Sequence, residues 1–332
     1  MGYNINDSHC NSTGGVICTF DVVNGIVLSI FGVLGLILNI AVIAIARKVH
    51  LPGKQRYFIT NLAIADTLLA LAGTQRGLGL VSTDLLIGGP RTSAFCVIFA
   101  LALNFVGWAL IPITIERFVA LVVPFKLQKL LTKQNCLLLC VTGWVPNIVC
   151  LIFETFSLLS DSPESLQVTY DPLYGRCTYN THQLLDLYVF VKGIICFVVP
   201  LTLIVVCYVV IFVILVRKGI GTKRVLVIST LIVVTGVAAW APTVIVHYAD
   251  LEISKPVSHI FTITFFYSIG VLDPLIFIFG YKNMRAYMRG RRYYREHRRS
   301  ELSGMDDMQE FRTGSTRSYI RGIRLVSISS SS

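Results

Sequence analysis

Residues 25–46 read GIVLSIFGVLGLILNIAVIAIA, a run of 22 residues without a charge that stops against Arg47 and Lys48. A helix needs about 20 mostly apolar residues to cross the ~30 Å hydrocarbon core of a bilayer. The run meets that length and predicts a membrane span. Six further stretches read alike: Tyr57 to Leu80, Ala94 to Val123, Cys136 to Leu159, Leu184 to Val216, Val225 to His247 and Ile260 to Phe279. Of the 332 residues, 54% are apolar and 14% charged, whereas soluble domains carry about 25% charged residues. The expected fold is an all-α membrane protein, a seven-transmembrane helix bundle over residues 25–280, with no room for a sizeable soluble catalytic domain.

A net charge of +11 would suggest nucleic acid in a soluble chain, but its placement argues against that partner. Basic residues gather between and after the apolar runs: Arg47, Lys48, Lys54 and Arg56, then Lys126, Lys129 and Lys133, then Arg217, Lys218, Lys223 and Arg224, then twelve from Lys282 onward. The intervening loops carry Asp161, Glu164 and Asp171, and later Asp250 and Glu252. By the positive-inside rule the basic segments face the cytoplasm, which puts the amino terminus outside and the carboxyl terminus inside. Residues 1–24 then form an extracellular tail. It lacks the basic start and cleavage site of a secretory signal peptide, so the first span is expected to serve as a signal anchor. Two glycosylation sequons, at Asn6 and Asn11, fall in this tail and agree with its orientation.

Nine cysteines divide between the two environments. Cys136, Cys140, Cys150, Cys196 and Cys207 lie within spans and are expected to pack as small hydrophobes. Cys10, Cys18, Cys96 and Cys177 fall on or near the oxidising side, where four can make two bridges. Cys96 with Cys177 would tie the long loop after the fourth span to a helix end. For Cys10 and Cys18, a bridge and free thiols both remain open. Residues 281–291 combine aromatic, Met and basic side chains and suit a short interfacial helix on membrane lipid. From 292 to 332 the composition turns to Arg, Glu, Ser and Gly, which predicts a disordered cytoplasmic tail.

An ionisable side chain inside a span costs at least ~2.5 kcal/mol on insertion scales, so each one needs a reason. Asp66 lies in the second span, Glu116 and Arg117 near the end of the third, and Asp273 late in the seventh. Arg76, Glu154, Lys192 and His247 stand in outer halves. With Asn39 in the first span, Leu62-Ala63-Ile64-Ala65-Asp66 in the second, Glu116-Arg117-Phe118 in the third and Trp144 in the fourth, the chain resembles the rhodopsin-like (class A) G-protein-coupled receptors. Pro200 with Tyr208, Trp240-Ala241-Pro242 and Asp273-Pro274-Leu275-Ile276-Phe277 continue the resemblance in the required order, which covers about residues 25 to 290. The resemblance implies a plasma-membrane receptor for an extracellular ligand, coupled to a heterotrimeric G protein, with arrestin recruited by a phosphorylated tail.

Departures from the family pattern bear on how signals would pass. Glu116-Arg117-Phe118 stands for the usual Asp-Arg-Tyr, and Phe277 lacks the hydroxyl that would bridge through water to Tyr208. Cys96 precedes Arg117 by 21 residues, four fewer than usual, which predicts a third helix one turn short at its outer end. Gly107 and Gly236 occupy levels where the family packs a bulky pair near Trp240. Thr222 stands where an acid often locks the arginine, so measurable basal activity is expected.

Arg117 beside Glu116 can hold itself closed or offer five donors to a partner; a purely structural ion pair is the alternative. Asp66, Asp273 and Asn39 could enclose a sodium ion, share a proton, or simply bond helix to helix, because two nearby carboxylates cannot both stay ionised without a cation. Pro242 removes a backbone hydrogen bond two residues after Trp240 and gives the sixth helix a pivot. The expected ligand pocket is lined by Arg76, Phe99, Glu154, Lys192, Trp240, His247 and Tyr267, although Arg76 and Lys192 could instead snorkel to the headgroups. From Cys96 to Ile115 there is no Asp or Glu, so a monoamine lacks its family anchor and an acidic small molecule, lipid or peptide is favoured.

Other classes fare worse. The stretch from Ile260 to Tyr281 contains no lysine for retinal, with Tyr267 at that level. Six scattered histidines show no ligand spacing, and no enzyme activity is expected. A secondary transporter using intramembrane carboxylates is the remaining alternative, though no internal repeat supports it.

Overall fold

The computed structural model describes residues 19–51, 54–81, 90–159, 168–171, 176–179, 183–218, 224–248 and 265–290. Apolar helices dominate. In chain order they are α1 (Thr19–Lys48), α2 (Gln55–Val81), α3 (Pro90–Val122), a one-turn α4 (Leu127–Leu130) and α5 (Lys133–Leu159). The fifth span is built in three parts: α6 (Gln183–Gly193), a π-turn (Ile194–Val198) and α7 (Val199–Lys218). Then come α8 (Arg224–Tyr248) and α9 (Phe266–Gly280). Five of these segments are long and apolar enough to cross a membrane, and parts of α8 and α9 form shorter apolar helices.

The expected first, second, fourth and sixth spans fall inside single helices, the third overruns α3 by one residue, the fifth runs through α6, the π-turn and α7, and the α-helix of the seventh begins at Phe266. Exposed Ile, Val and Leu on α1, α5 and α7 are normal here, because lipid rewards them as a core would. The third helix does not start late. It begins at Pro90, six residues before Cys96, so the shorter spacing to Arg117 sets Cys96 inside the helix and does not truncate it. Between α5 and α6 a feature absent from the sequence reading appears: an antiparallel hairpin of β1 (Val168–Asp171) and β2 (Arg176–Tyr179), with Tyr170 opposite Cys177. Alternating Thr, Tyr and Val residues suit paired strands.

Helices in lipid gain no hydrophobic drive toward one another, so close backbone approach must supply packing. The α1–α2 contact does this with small residues. A Cβ placed on Gly77 would lie 2.6 Å from the carbonyl oxygen of Gly25 and 2.6 Å from the amide nitrogen of Ser29, and one on Gly32 would lie 2.6 Å from the amide of Thr74. Real Cβ atoms do not come so near. Further in, Trp144 Nε1 donates to Asn61 Oδ1 at 2.7 Å, and its ring lies 4.2 Å from that of Phe105, joining α5 to α2 and α3.

Residues 281–332 form a separate unit, of which 281–290 are described. It opens with α10 (Lys282–Met288). Arg285 N donates to the Tyr281 carbonyl, and Gly290, with a φ of 128°, ends the turn in a conformation that favours glycine. Met284 and Ala286 are buried, while Met288 is exposed.

The α1–α2 seam makes a prediction. Gly77→Val should lower the melting temperature of the purified protein, with overpacking worth ~1–3 kcal/mol. Leu78→Val, on an exposed neighbour, should leave it nearly unchanged. Equal melting for both variants would show that the seam tolerates a side chain.

Candidate functional site

Three polar groups converge in the middle of the bundle. Asn39 Nδ2 donates to the Gly35 carbonyl at 2.9 Å and to the Gly270 carbonyl at 2.8 Å, tying α1 to α9. Asp66 and Asp273 are fully buried and close enough to interact electrostatically. Among the described residues, none of their four carboxylate oxygens has a hydrogen-bond partner, and Asn39 Oδ1 also lacks one. Orphaned polar atoms are costly in a low-dielectric interior. An all-oxygen carboxylate pair of this kind suits a hard cation or a shared proton.

Near the carboxyl-terminal end of α3, Arg117 Nη2 donates to Glu116 Oε2, and both residues are buried. Adjacent residues on a helix point about 100° apart, so this pair closes only because both side chains are long. Gln55 at the start of α2 also hydrogen-bonds the Glu116 carboxylate, a partner that sequence reasoning missed. No motif marks it. Thr222, the expected partner of Arg117, lies outside the described residues.

Deeper in the bundle, Trp240 is fully buried with Phe197 edge-on at 5.1 Å between centroids. Its indole rests on Gly107: a Cβ there would lie 2.4 Å from the ring. Gly236 faces Leu110 instead, where a Cβ would lie 3.0 Å from the leucine side chain. The two glycines that replace the expected bulky pair therefore act differently, one as a bed for the indole and one as ordinary packing. Tyr208 places its hydroxyl 3.4 Å from the Ser229 carbonyl, linking α7 to α8, while Phe277 is fully buried. Pro242 falls within α8, which stays helical through it.

The outer residues separate into two groups. Lys192 Nζ donates to Glu154 Oε1, both buried, and the Tyr188 hydroxyl reaches the same oxygen at 3.1 Å. Lys192 is thus charge-compensated and does not snorkel. Arg76 is also buried, on α2 among the bundle residues, and Gly73 one turn before it lies against the Tyr267 ring. Phe99 and His247 lie in helices α3 and α8, and their side chains are outside the described residues, as are those of Cys96 and Cys177. Asn6, Asn11, Cys10 and Cys18 are outside them altogether.

The comparisons with known proteins agree with this architecture. The model of the 7 transmembrane receptor (rhodopsin family) matches residues 37–277. The chain belongs to this family of receptors, which are multi-pass membrane proteins and not enzymes. Among similar proteins, the alpha-1A adrenergic receptor of Canis lupus familiaris is 30% identical over 204 residues, 59% of this chain and 62% of that protein. The Oryzias latipes protein of the same name is 30% identical over 162 residues, 46% of this chain and 34% of the relative. A Gq-coupled rhodopsin of Mizuhopecten yessoensis is 27% identical over 198 residues, 56% of this chain and 37% of the relative. The match thus spans between about a third and three-fifths of these relatives.

The Glu154–Lys192 pair makes a second prediction. Removing one partner of a buried ion pair costs ~3–5 kcal/mol, whereas replacing both by apolar residues is often neutral. Glu154→Leu should therefore lower the melting temperature sharply, and adding Lys192→Met should restore most of it. A double variant no more stable than the single one would contradict the pairing.

Proposed function

We propose that this chain is a plasma-membrane receptor, amino terminus outside and carboxyl terminus inside, that binds an extracellular ligand and promotes nucleotide exchange in a heterotrimeric G protein. Family membership carries the reading. The Glu116–Arg117 pair gives it a residue-level form: in the resting state Glu116 holds the guanidinium, and activation frees its donors for the partner's carbonyls. The sixth helix pivots at Pro242, and ligand contact at Trp240 is the trigger. Nothing comparable supports a transporter.

The favoured ligand is an acidic small molecule, a lipid or a peptide carboxylate. Several relatives carry the name adrenergic receptor, yet Phe99 and its neighbours from Cys96 to Ile115 include no carboxylate to anchor an amine. Lys192 is paired with Glu154, and Arg76 is ranked first as the anion anchor because its guanidinium can grip a carboxylate through two parallel bonds, with Trp240, His247 and Tyr267 as walls. The four-part organisation completes the proposal: a glycosylated outer tail, the bundle closed by Cys96–Cys177, α10 along the inner leaflet, and a tail whose Ser329 to Ser332 recruit arrestin when phosphorylated.

The test is a screen of carboxylate, lipid and peptide ligands read as G-protein activation in cells. Arg117→Ala should abolish the response while surface expression persists. Arg76→Ala should cost an acidic agonist about tenfold or more in potency, the worth of a charge-assisted bond, and Arg76→Lys should restore part. Unchanged activation by Arg117→Ala would overturn the receptor reading, and a cationic agonist would overturn the ligand reading alone.

Asp66, Asp273 and Asn39 would hold a sodium ion, which supplies charge compensation and lets both carboxylates remain ionised. These side chains would then draw α2 and α9 together and favour the resting state. Agonist affinity should fall as sodium replaces a larger cation at constant ionic strength, and Asp66→Asn should remove the dependence. Sodium-independent binding in the parent protein would rule this out.

A further inference from the structure

Cys150 and Glu154 lie four residues apart on α5, and Tyr188, Lys192 and Cys196 follow at the same interval along α6 and the π-turn. Residues four apart share a helix face. Successive spans run in opposite directions, so the Glu154–Lys192 ion pair sets the register between these helices. One turn deeper, that register brings Cys150 opposite Cys196. The two thiols face each other there, close enough to interact. Both are free thiols, Cys196 fully buried and Cys150 partly so. Tyr188 covers the outer side, its hydroxyl 3.5 Å from the Cys150 carbonyl and its ring 4.4 Å from that of Phe153. Cys136 and Cys140, by contrast, share a single helix. Cys196 also falls within the π-turn, a distortion frequent at functional sites.

We propose that Cys150 and Cys196 are a dithiol modification site that hydrogen peroxide converts into a disulfide, fixing α5 to the fifth span. Peroxide is small and uncharged and can enter a bilayer. Cys150 Sγ attacks one peroxide oxygen, the O–O bond breaks, and the departing hydroxide takes the thiol proton as water, leaving a sulfenic acid. Cys196 Sγ then attacks that sulfur, the S–S bond forms, the S–O bond breaks, and the second hydroxide leaves as water with the Cys196 proton. Two thiols lose two electrons and one peroxide becomes two waters. The covalent rung sits one turn below the ion pair, so the seam can no longer part at either point. The site does not depend on the receptor reading.

The full-length protein in isolated membranes would be treated with hydrogen peroxide, its remaining thiols blocked with N-ethylmaleimide, and its peptides mapped by mass spectrometry without reduction. A linked Cys150–Cys196 peptide is expected, reversed by dithiothreitol, absent from Cys150→Ser and Cys196→Ser, and present in Cys207→Ser. Oxidation should raise the melting temperature of the parent protein by several degrees. Recovery of both cysteines as maleimide adducts, or of Cys150 linked to a different cysteine, would overturn the proposal. A linked peptide with no change in melting would overturn the claim that it fixes the seam. If a serine variant fails to reach the membrane, the parent protein's peptide map decides alone.

Discussion

The amide of Asn39, bonded at once to its own helix and to the Gly270 carbonyl of α9, is the constraint on which the middle of this bundle depends. Lipid offers no competing donors or acceptors, so a polar group on one helix must find its partner on another. Asn39 does this at the level where Asp66 and Asp273 meet. Gly35 helps to make it feasible, because a Cβ there would lie 3.2 Å from the Gly270 carbonyl oxygen that Asn39 must reach. The α1–α2 glycine seam then follows from the same demand. Helices that share a buried polar centre must approach closely above it, and Gly25, Gly32 and Gly77 allow that approach.

Much of this was legible in the sequence because membrane spans carry a strong, local signal. Uncharged length fixed the helices, and charges placed inside them marked Asp66, Asp273, Arg117 and the Glu154–Lys192 group without any knowledge of packing. What stayed hidden depends on distant residues meeting. Gln55 looks like any polar residue at a helix start, yet its amide reaches Glu116 from another helix. The hairpin at Val168–Tyr179 lies in a loop whose strands are too short to stand out. Cys150 and Cys196 read as small hydrophobes, and only the register set by Glu154 and Lys192 brings them face to face.

Lys192 illustrates how burial changes the meaning of a charge. Taken alone, an outer-half lysine suggests an anion site, and the side-chain length allows it to reach the headgroups. Its position against Glu154 and beside Tyr188 removes both options at once, since a compensated ammonium gains little from a further carboxylate. Arg76 is on a different helix and outside this group, so its burial has a different consequence. A guanidinium at 2% exposure carries five N–H donors and needs polar surroundings within the bundle.

The same reasoning applies to how a signal would cross the bundle in the proposed receptor. Coupling requires an element with two discrete arrangements that both ends can bias. Trp240 resting on Gly107 is suited to this role because the contact depends on a missing side chain: the indole occupies space that any Cβ would fill. Sliding off that bed would expose a void beneath the ring and move the Phe197 edge contact with it. Below, the hydroxyl of Tyr208 meets the Ser229 carbonyl and the Thr230 side chain of α8, and Phe277 has no hydroxyl to offer it. An outward swing of α8 would therefore forfeit the Tyr208 contact without gaining a hydroxyl partner on α9. The balance between states then falls on the Trp240 bed above and on the Glu116 carboxylate below, where Gln55 and Arg117 share one acceptor.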